Sequence, residues 1–189
     1  MDLQIALMLG QDGVVNGAIY ALMALALVLV FSVTRIIFIP QGEFVSYAAL
    51  SMAALQTGHL PAVIWMVVGL ALITLIVEGW SQLRGLQVDW KATLVWTVLF
   101  PLLAAGLIFG LRPSSQWGQA LAVLALITPM GPLLYRLTFR PLAHTTVLML
   151  LIVSVALHGV MVGLGLFFFG AEGSRTTPFL DARWDVGGL

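Results

Sequence analysis

Apolar positions in this chain form long unbroken runs separated by short polar intervals. None of the runs alternates with the period of two that marks a half-buried strand. Six stand out: about Gly13 to Ile39, Gly42 to Thr57, Leu60 to Trp80, Thr93 to Leu111, Trp117 to Leu134 and Thr145 to Gly170. A helix needs about 20 residues to cross a hydrocarbon core of ~30 Å. Lipid offers the backbone no hydrogen-bond partner, so only helices and closed barrels span it, and runs this continuous do not build a barrel. The pattern predicts an all-α, polytopic membrane domain over residues 1–170 with about six transmembrane helices, followed by a polar external segment over residues 171–189. The second run is short: ~16 residues reach roughly 24 Å. It either leans on its neighbours or enters the membrane only partly.

Composition agrees with the pattern. Hydrophobic residues make up 61% of the chain and charged residues 8%, against roughly 25% charged in a soluble domain, so a water-facing surface could not be covered. There are no cysteines, which excludes disulfides, thiolate metal sites and a cysteine nucleophile. Nor is a metal site of any other kind expected. Net charge is zero and the one lysine is Lys91, which excludes the clustered basic residues that nucleic acid requires. The opening "MDLQIALMLGQDG" has no positive n-region, so it reads as a retained span and not a cleaved leader.

Lysine and arginine in the short loops set the orientation. With the amino terminus outside, the inside loops collect Arg35, Arg84, Lys91, Arg136 and Arg140, and the outside segments Arg112, Arg175 and Arg183. The tail "AEGSRTTPFLDARWDVGGL" then reads as an external loop, with room for a short strand, whose end on "GGL" is expected to be a truncation.

Polar and small residues within the runs are the candidates for packing or function. Gly13 and Gly17, Gly106 and Gly110, and Gly159 and Gly163 are each four apart, the spacing that lets another helix approach closely. Asn16 has two readings, helix packing or the lining of a solute path. Ser154 and His158 share a helical face. They read as interhelical hydrogen-bonding groups or, less simply, as a nucleophile and base, although no carboxylate within that span can orient the histidine. Glu78 is expected to pair with Arg84. Pro129 and Pro132, flanking Gly131, are expected to bend the fifth span.

The costliest concentration is "RIIFIPQGEF", residues 35–44. An ionised side chain at the bilayer centre costs roughly 2.5–3.5 kcal/mol on insertion scales, so Arg35 and Glu43 belong near an interface or in a polar interior. Pro40 stops the first helix, Gln41 and Gly42 permit a reversal, and Glu43 falls in the first turn of the next helix, where its charge suits the dipole. Arg35 and Glu43 are expected to pair across the turn.

The run "NGAIYALMALALVLVFSVTRIIFIPQGEF" resembles the amino-terminal signature of the permease subunits of branched-chain amino acid ABC transporters. In that family an Asn-Gly…Tyr-Ala-Leu helix precedes Arg-Val-Ile-Asn-Phe-Ala-His-Gly-Glu. Asn16, Gly17, Tyr20, Ala21, Leu22, Arg35, Gly42 and Glu43 match, whereas Phe38, Pro40 and Gln41 stand where the family has asparagine, alanine and histidine. Further on, Arg140, Pro141 and Leu142 match a Tyr-Arg-Pro-Leu loop, and "FGAEGSRTTPF" is similar to the external segment after the following span. Residues 80–116 fit poorly.

The resemblance implies a multi-pass permease of the bacterial inner membrane that forms part of the translocation path for branched-chain or related amino acids. It implies partners too: ATP-binding subunits, a second related permease and an extracytoplasmic solute-binding protein. The chain has no phosphate-binding loop, so it is read as a non-enzyme without a cofactor of its own, the partner subunits using ATP. The family's cytoplasmic coupling loop lies beyond residue 189. Asn16, Tyr20 and Glu43 are the candidates for the path or its gate, and Arg35, Pro40, Gln41 and Gly42 for the structural turn. The alternatives are an intramembrane enzyme built on Ser154 and His158, or a non-transporting membrane scaffold.

Overall fold

A computed structural model describes residues 3–85, 87–110 and 115–178, with side chains from residue 5. Helix dominates, and no strand occurs among the described residues. There are six helical segments: α1 (Leu3–Thr34), α2 (Gln41–Gln56), α3 (Val63–Leu83), α4 (Trp90–Gly110), α5 (Gln116–Leu142) and α6 (Val147–Phe169). All but α2 are long and apolar enough to cross a membrane. The chain is a multi-span membrane protein.

Hydrogen-bonded caps set several of the starts. Asp89 accepts from the Ala92 amide, Ser115 from Gly118 and Thr146 from Met149, each satisfying an amide of a first helical turn. Within α3 the buried positions Val63, Val67, Ala71, Thr74 and Glu78 follow one another at three or four residues, with Met66 beside Val67, one stripe of the helix. That stripe faces α5, whose Ala122, Val123, Leu126, Met130, Leu133 and Leu134 form the middle of the core.

Two helices depart from the α-helical repeat. In α4 the turns at Val95–Leu99 and Gly106–Gly110 are π-helical, and in α5 the turn at Tyr135–Phe139 is. The first and third each end just short of a proline, Pro101 and Pro141. A proline lacks the N–H that would bond four residues back and crowds that carbonyl. Widening the preceding turn lets Phe100 N reach Val95 O and Arg140 N reach Tyr135 O, so the helix continues past each proline.

The observed limits correct several expected ones. The first helix begins ten residues before Gly13, passing through Gln11 and Asp12, since a helix of 32 residues, about 48 Å at 1.5 Å each, is longer than a ~30 Å hydrocarbon core, and it ends at Thr34 and not Ile39. The fifth does not stop at Leu134; its α-helical pattern is interrupted at Thr128–Pro129 and the helix runs on to Leu142. Arg136 and Arg140 therefore sit on a helix and not in a loop, which is tolerated because a carboxylate on α3 meets both. The described part of the tail, residues 170–178, forms no strand. It folds back over the ends of α2 and α5: Thr177 N donates to Gln56 Oε1 at 2.8 Å, and Gln116 Nε2 donates to Thr177 Oγ1 at 3.2 Å. Leu111, Arg112 and residues 179–189, Arg183 among them, lie outside the described residues.

Candidate functional site

The segment between α1 and α2 is not a surface loop. Thr34 ends α1, its hydroxyl donating to Val30 O at 2.7 Å and accepting from Ile36 N at 3.2 Å. Arg35 then takes φ of 60°, a left-handed conformation that costs a residue with a Cβ roughly 1–2 kcal/mol. Phe38 lies edge-on to Phe44 and to Phe139, with centroids 5.6 and 6.0 Å apart. Pro40 is fully buried at the start of α2. Gln41 Nε2 donates to Met23 O at 3.0 Å, tying the turn back to α1.

The turn is held by α6. Ile39 N donates to Ser154 Oγ at 2.9 Å and shares its hydrogen with Ile37 O at 3.1 Å. Ser154 is fully buried and lies roughly 10 Å along α6 from Val147 at 1.5 Å per residue. From that level α2 runs alongside α6. Glu43 Oε1 comes within 2.9 Å of His158 Nδ1, the Tyr47 hydroxyl donates to Met161 O, and the Tyr47 ring rests on Gly165. The second helix is short because it starts part-way into the bundle.

The contact between Glu43 Oε1 and His158 Nδ1 does not have the geometry of a hydrogen bond. Glu43 Oε2 is buried without a hydrogen-bond partner, and the Glu43 side chain is 14% exposed against 42% for His158. The result is a carboxylate turned inward beside an imidazole that is open on one side. The expected pairing of Glu43 with Arg35 does not occur, since the left-handed turn leaves Arg35 exposed while Glu43 points to α6.

Of the expected path residues, the structure brings only Glu43 into this cluster. Asn16 and Tyr20 stand on exposed faces of α1, and neither side chain hydrogen-bonds to the cluster among the described residues, although Tyr20 is only three residues from Met23, whose carbonyl accepts from Gln41. Gly42 and Gln41 lie in the turn with Arg35 and Pro40, as a helix reversal requires. The glycine pairs lie apart from it. A Cβ added at Gly13, Gly17, Gly106, Gly110, Gly159 or Gly163 would meet nothing within 4 Å, so none is a point of close approach among the described residues. That role falls to Gly165, where a Cβ would come 3.0 Å from the Tyr47 ring.

The turn also gives His158 the carboxylate that its own span lacks. Even so, Ser154 and His158 make no hydrogen bond to each other among the described residues, and Ser154 Oγ is engaged by Ile39 N. A nucleophile–base pair is not assembled.

A second polar cluster lies where α3 ends and α4 begins. Glu78 Oε1 accepts from Arg136 Nη1 at 2.8 Å and from Arg140 Nη1 at 3.2 Å, and the Thr93 hydroxyl bridges Glu78 Oε2 and Arg136. Glu78 pairs with these two arginines and not with Arg84, whose guanidinium instead sits 5.5 Å over the Trp80 ring. Arg136 and Arg140 are four apart, which on a helix is one face. That spacing, with a lone apolar-flanked carboxylate needing a cation, is the signal that could have found the triad in the sequence. At the opposite end of the bundle, Leu55, His59, Leu60, Ile108 and Phe109 line a cavity of about 420 Å³.

Comparison of the chain with models of protein families, with curated proteins and with solved structures finds no significant match in any of the three.

Proposed function

We propose that the chain is a membrane-spanning permease subunit of an ABC importer, contributing part of the translocation path for branched-chain or related amino acids. The observation that carries this reading is the turn seated inside the bundle, with Glu43 and His158 facing each other where α2 begins. Ionisable groups among apolar helices are costly and mark solute or ion pathways by default, and irregular backbone at that depth is tolerated where it is packed in protein or lines a cavity. The same residues carry the family-like run: Arg35, Gly42 and Glu43 belong both to the turn and to the signature.

On this reading the protein sits in the bacterial inner membrane. ATP is bound and hydrolysed by separate subunits, a second related permease completes the path, and a solute-binding protein delivers the amino acid from outside. Access alternates as packed helices rock. The Glu43–His158 contact opens and closes as α2 shifts along α6, Arg35 and Pro40 fixing the pivot.

Gentle extraction of the tagged protein from its native membranes, with mass spectrometry of what accompanies it, tests the assignment. An ATPase and a second permease are expected in stoichiometric amounts. Recovery of the protein alone would leave the scaffold reading in place. An enzyme built on Ser154 is tested separately by Ser154→Ala and His158→Ala, where unimpaired function of both variants removes it.

A further inference from the structure

The triad of Glu78, Arg136 and Arg140 lines a cavity of about 340 Å³ together with the apolar Val77, Val88 and Pro141 and the polar Ser81 and Gln87. Two guanidinium groups meet one carboxylate, so the formal charge of the triad is +1. Each guanidinium has five N–H donors. Arg140 uses one of its own, toward Glu78 Oε1, and Arg136 uses one nitrogen, toward Glu78 and Thr93. Arg136 is 14% exposed and held by Glu78 and Thr93, whereas Arg140 is 46% exposed and makes its one contact to the triad at Glu78.

The level of the cavity in the membrane is marked by its neighbours. Trp80, exposed and stacked under Arg84, ends one adjoining helix, and Trp90, whose Nε1 donates to Gln82 Oε1 at 2.6 Å, starts the next. Tryptophan and arginine at helix ends define the interface between headgroups and acyl chains. A cavity whose lining combines two guanidinium groups with apolar side chains, placed at headgroup level, matches one kind of ligand. Basic pockets between transmembrane helices hold anionic headgroups, and a planar guanidinium suits a phosphate diester.

We propose that this cavity binds the phosphate of an anionic phospholipid, Arg140 contacting the headgroup and Arg136 fixed behind it by Glu78 and Thr93, while the acyl chains lie along Val77, Val88 and Pro141. The assignment stands independently of the transport reading.

The test uses the full chain reconstituted in phosphatidylcholine vesicles carrying a spin-labelled lipid, either phosphatidylglycerol or phosphatidylcholine. A saturable, severalfold preference for phosphatidylglycerol is expected. Arg140→Gln should reduce it to near unity, whereas Arg140→Lys should keep most of it. Arg84→Gln, at the same end but outside the cavity, and Arg175→Gln, in the tail, should leave it unchanged. Equal loss with Arg84→Gln would reduce the effect to diffuse surface attraction and overturn the site, as would an unchanged preference in Arg140→Gln.

Millimolar glycerol phosphate added to micelles separates the two sources of phosphate. Displacement of the lipid at matched concentrations would make the ligand a soluble phosphate and overturn the proposal, and failure to displace it supports the lipid. Should Arg140→Gln not accumulate, thermal unfolding of the unaltered protein decides. Phosphatidylglycerol should raise Tm by several degrees more than phosphatidylcholine does, and equal shifts would end the proposal.

Discussion

At the scale of residues, one carboxylate oxygen, Glu78 Oε1, accepts from two arginines. Removing one partner of a buried ion pair leaves the other desolvated and unpaired, at a cost of about 3–5 kcal/mol. Glu78→Gln should therefore lower the unfolding free energy by about 3 kcal/mol in detergent micelles, the amide oxygen recovering part of one hydrogen bond. Two buried serines should behave oppositely. Ser154 accepts from the turn, so Ser154→Ala should cost about 1 kcal/mol. Ser51 is equally buried with an unpartnered hydroxyl, so Ser51→Ala should be neutral or stabilising in the same measurement. None of these partners is adjacent in sequence. That Glu78 needs a cation follows from its apolar surroundings, but Arg84 and Arg136 are equally basic on paper. Only the packing of α3 against α5 chooses between them.

The elements were more legible than their ends. Long apolar runs announce membrane helices because a hydrocarbon solvent forces the backbone to satisfy itself. Where such a helix stops is a question of side-chain partners, and α5 shows the difference. Its apolar run fades near Leu134, yet the helix continues because Glu78 pairs with the arginines beyond. The small-residue spacing is less specific, since glycines four apart permit close approach without supplying the helix that approaches. Gly165→Ala should drive the new methyl into the Tyr47 ring and destabilise the protein by about 1–3 kcal/mol. Gly163→Ala, two residues away in open space, should not destabilise it. Thermal unfolding of the two variants side by side checks the assignment of the contact to α2 and α6.

For the whole molecule, the all-α, multi-span architecture is what composition and periodicity carry best, because both follow from the solvent alone. The candidate site was legible in part. The turn at residues 35–44 stood out by its charge and proline, but its seat against Ser154 and His158 rests on contacts more than a hundred residues apart. Equally hidden was the position of α1, none of whose described side chains is buried. Asn16 there is exposed, and its amide makes no hydrogen bond among the described residues. On the permease reading a second subunit supplies the partner. Asn16→Leu should then leave thermal stability within about 0.5 kcal/mol of the original while reducing recovery of the second permease. A quantitative pull-down beside an unfolding curve separates the two effects.

The seating of α2 also has a consequence for synthesis. Its clasps are Ser154, Met161 and Gly165, made more than a hundred residues after the turn they hold. At roughly 5–20 residues per second the ribosome needs several seconds to reach them. Throughout that interval a helix too short to cross a bilayer alone carries an unclasped glutamate. Nascent chains arrested before Val147 should therefore expose residues 41–56 to a water-soluble thiol reagent at an introduced cysteine, and chains arrested beyond Gly170 should protect them.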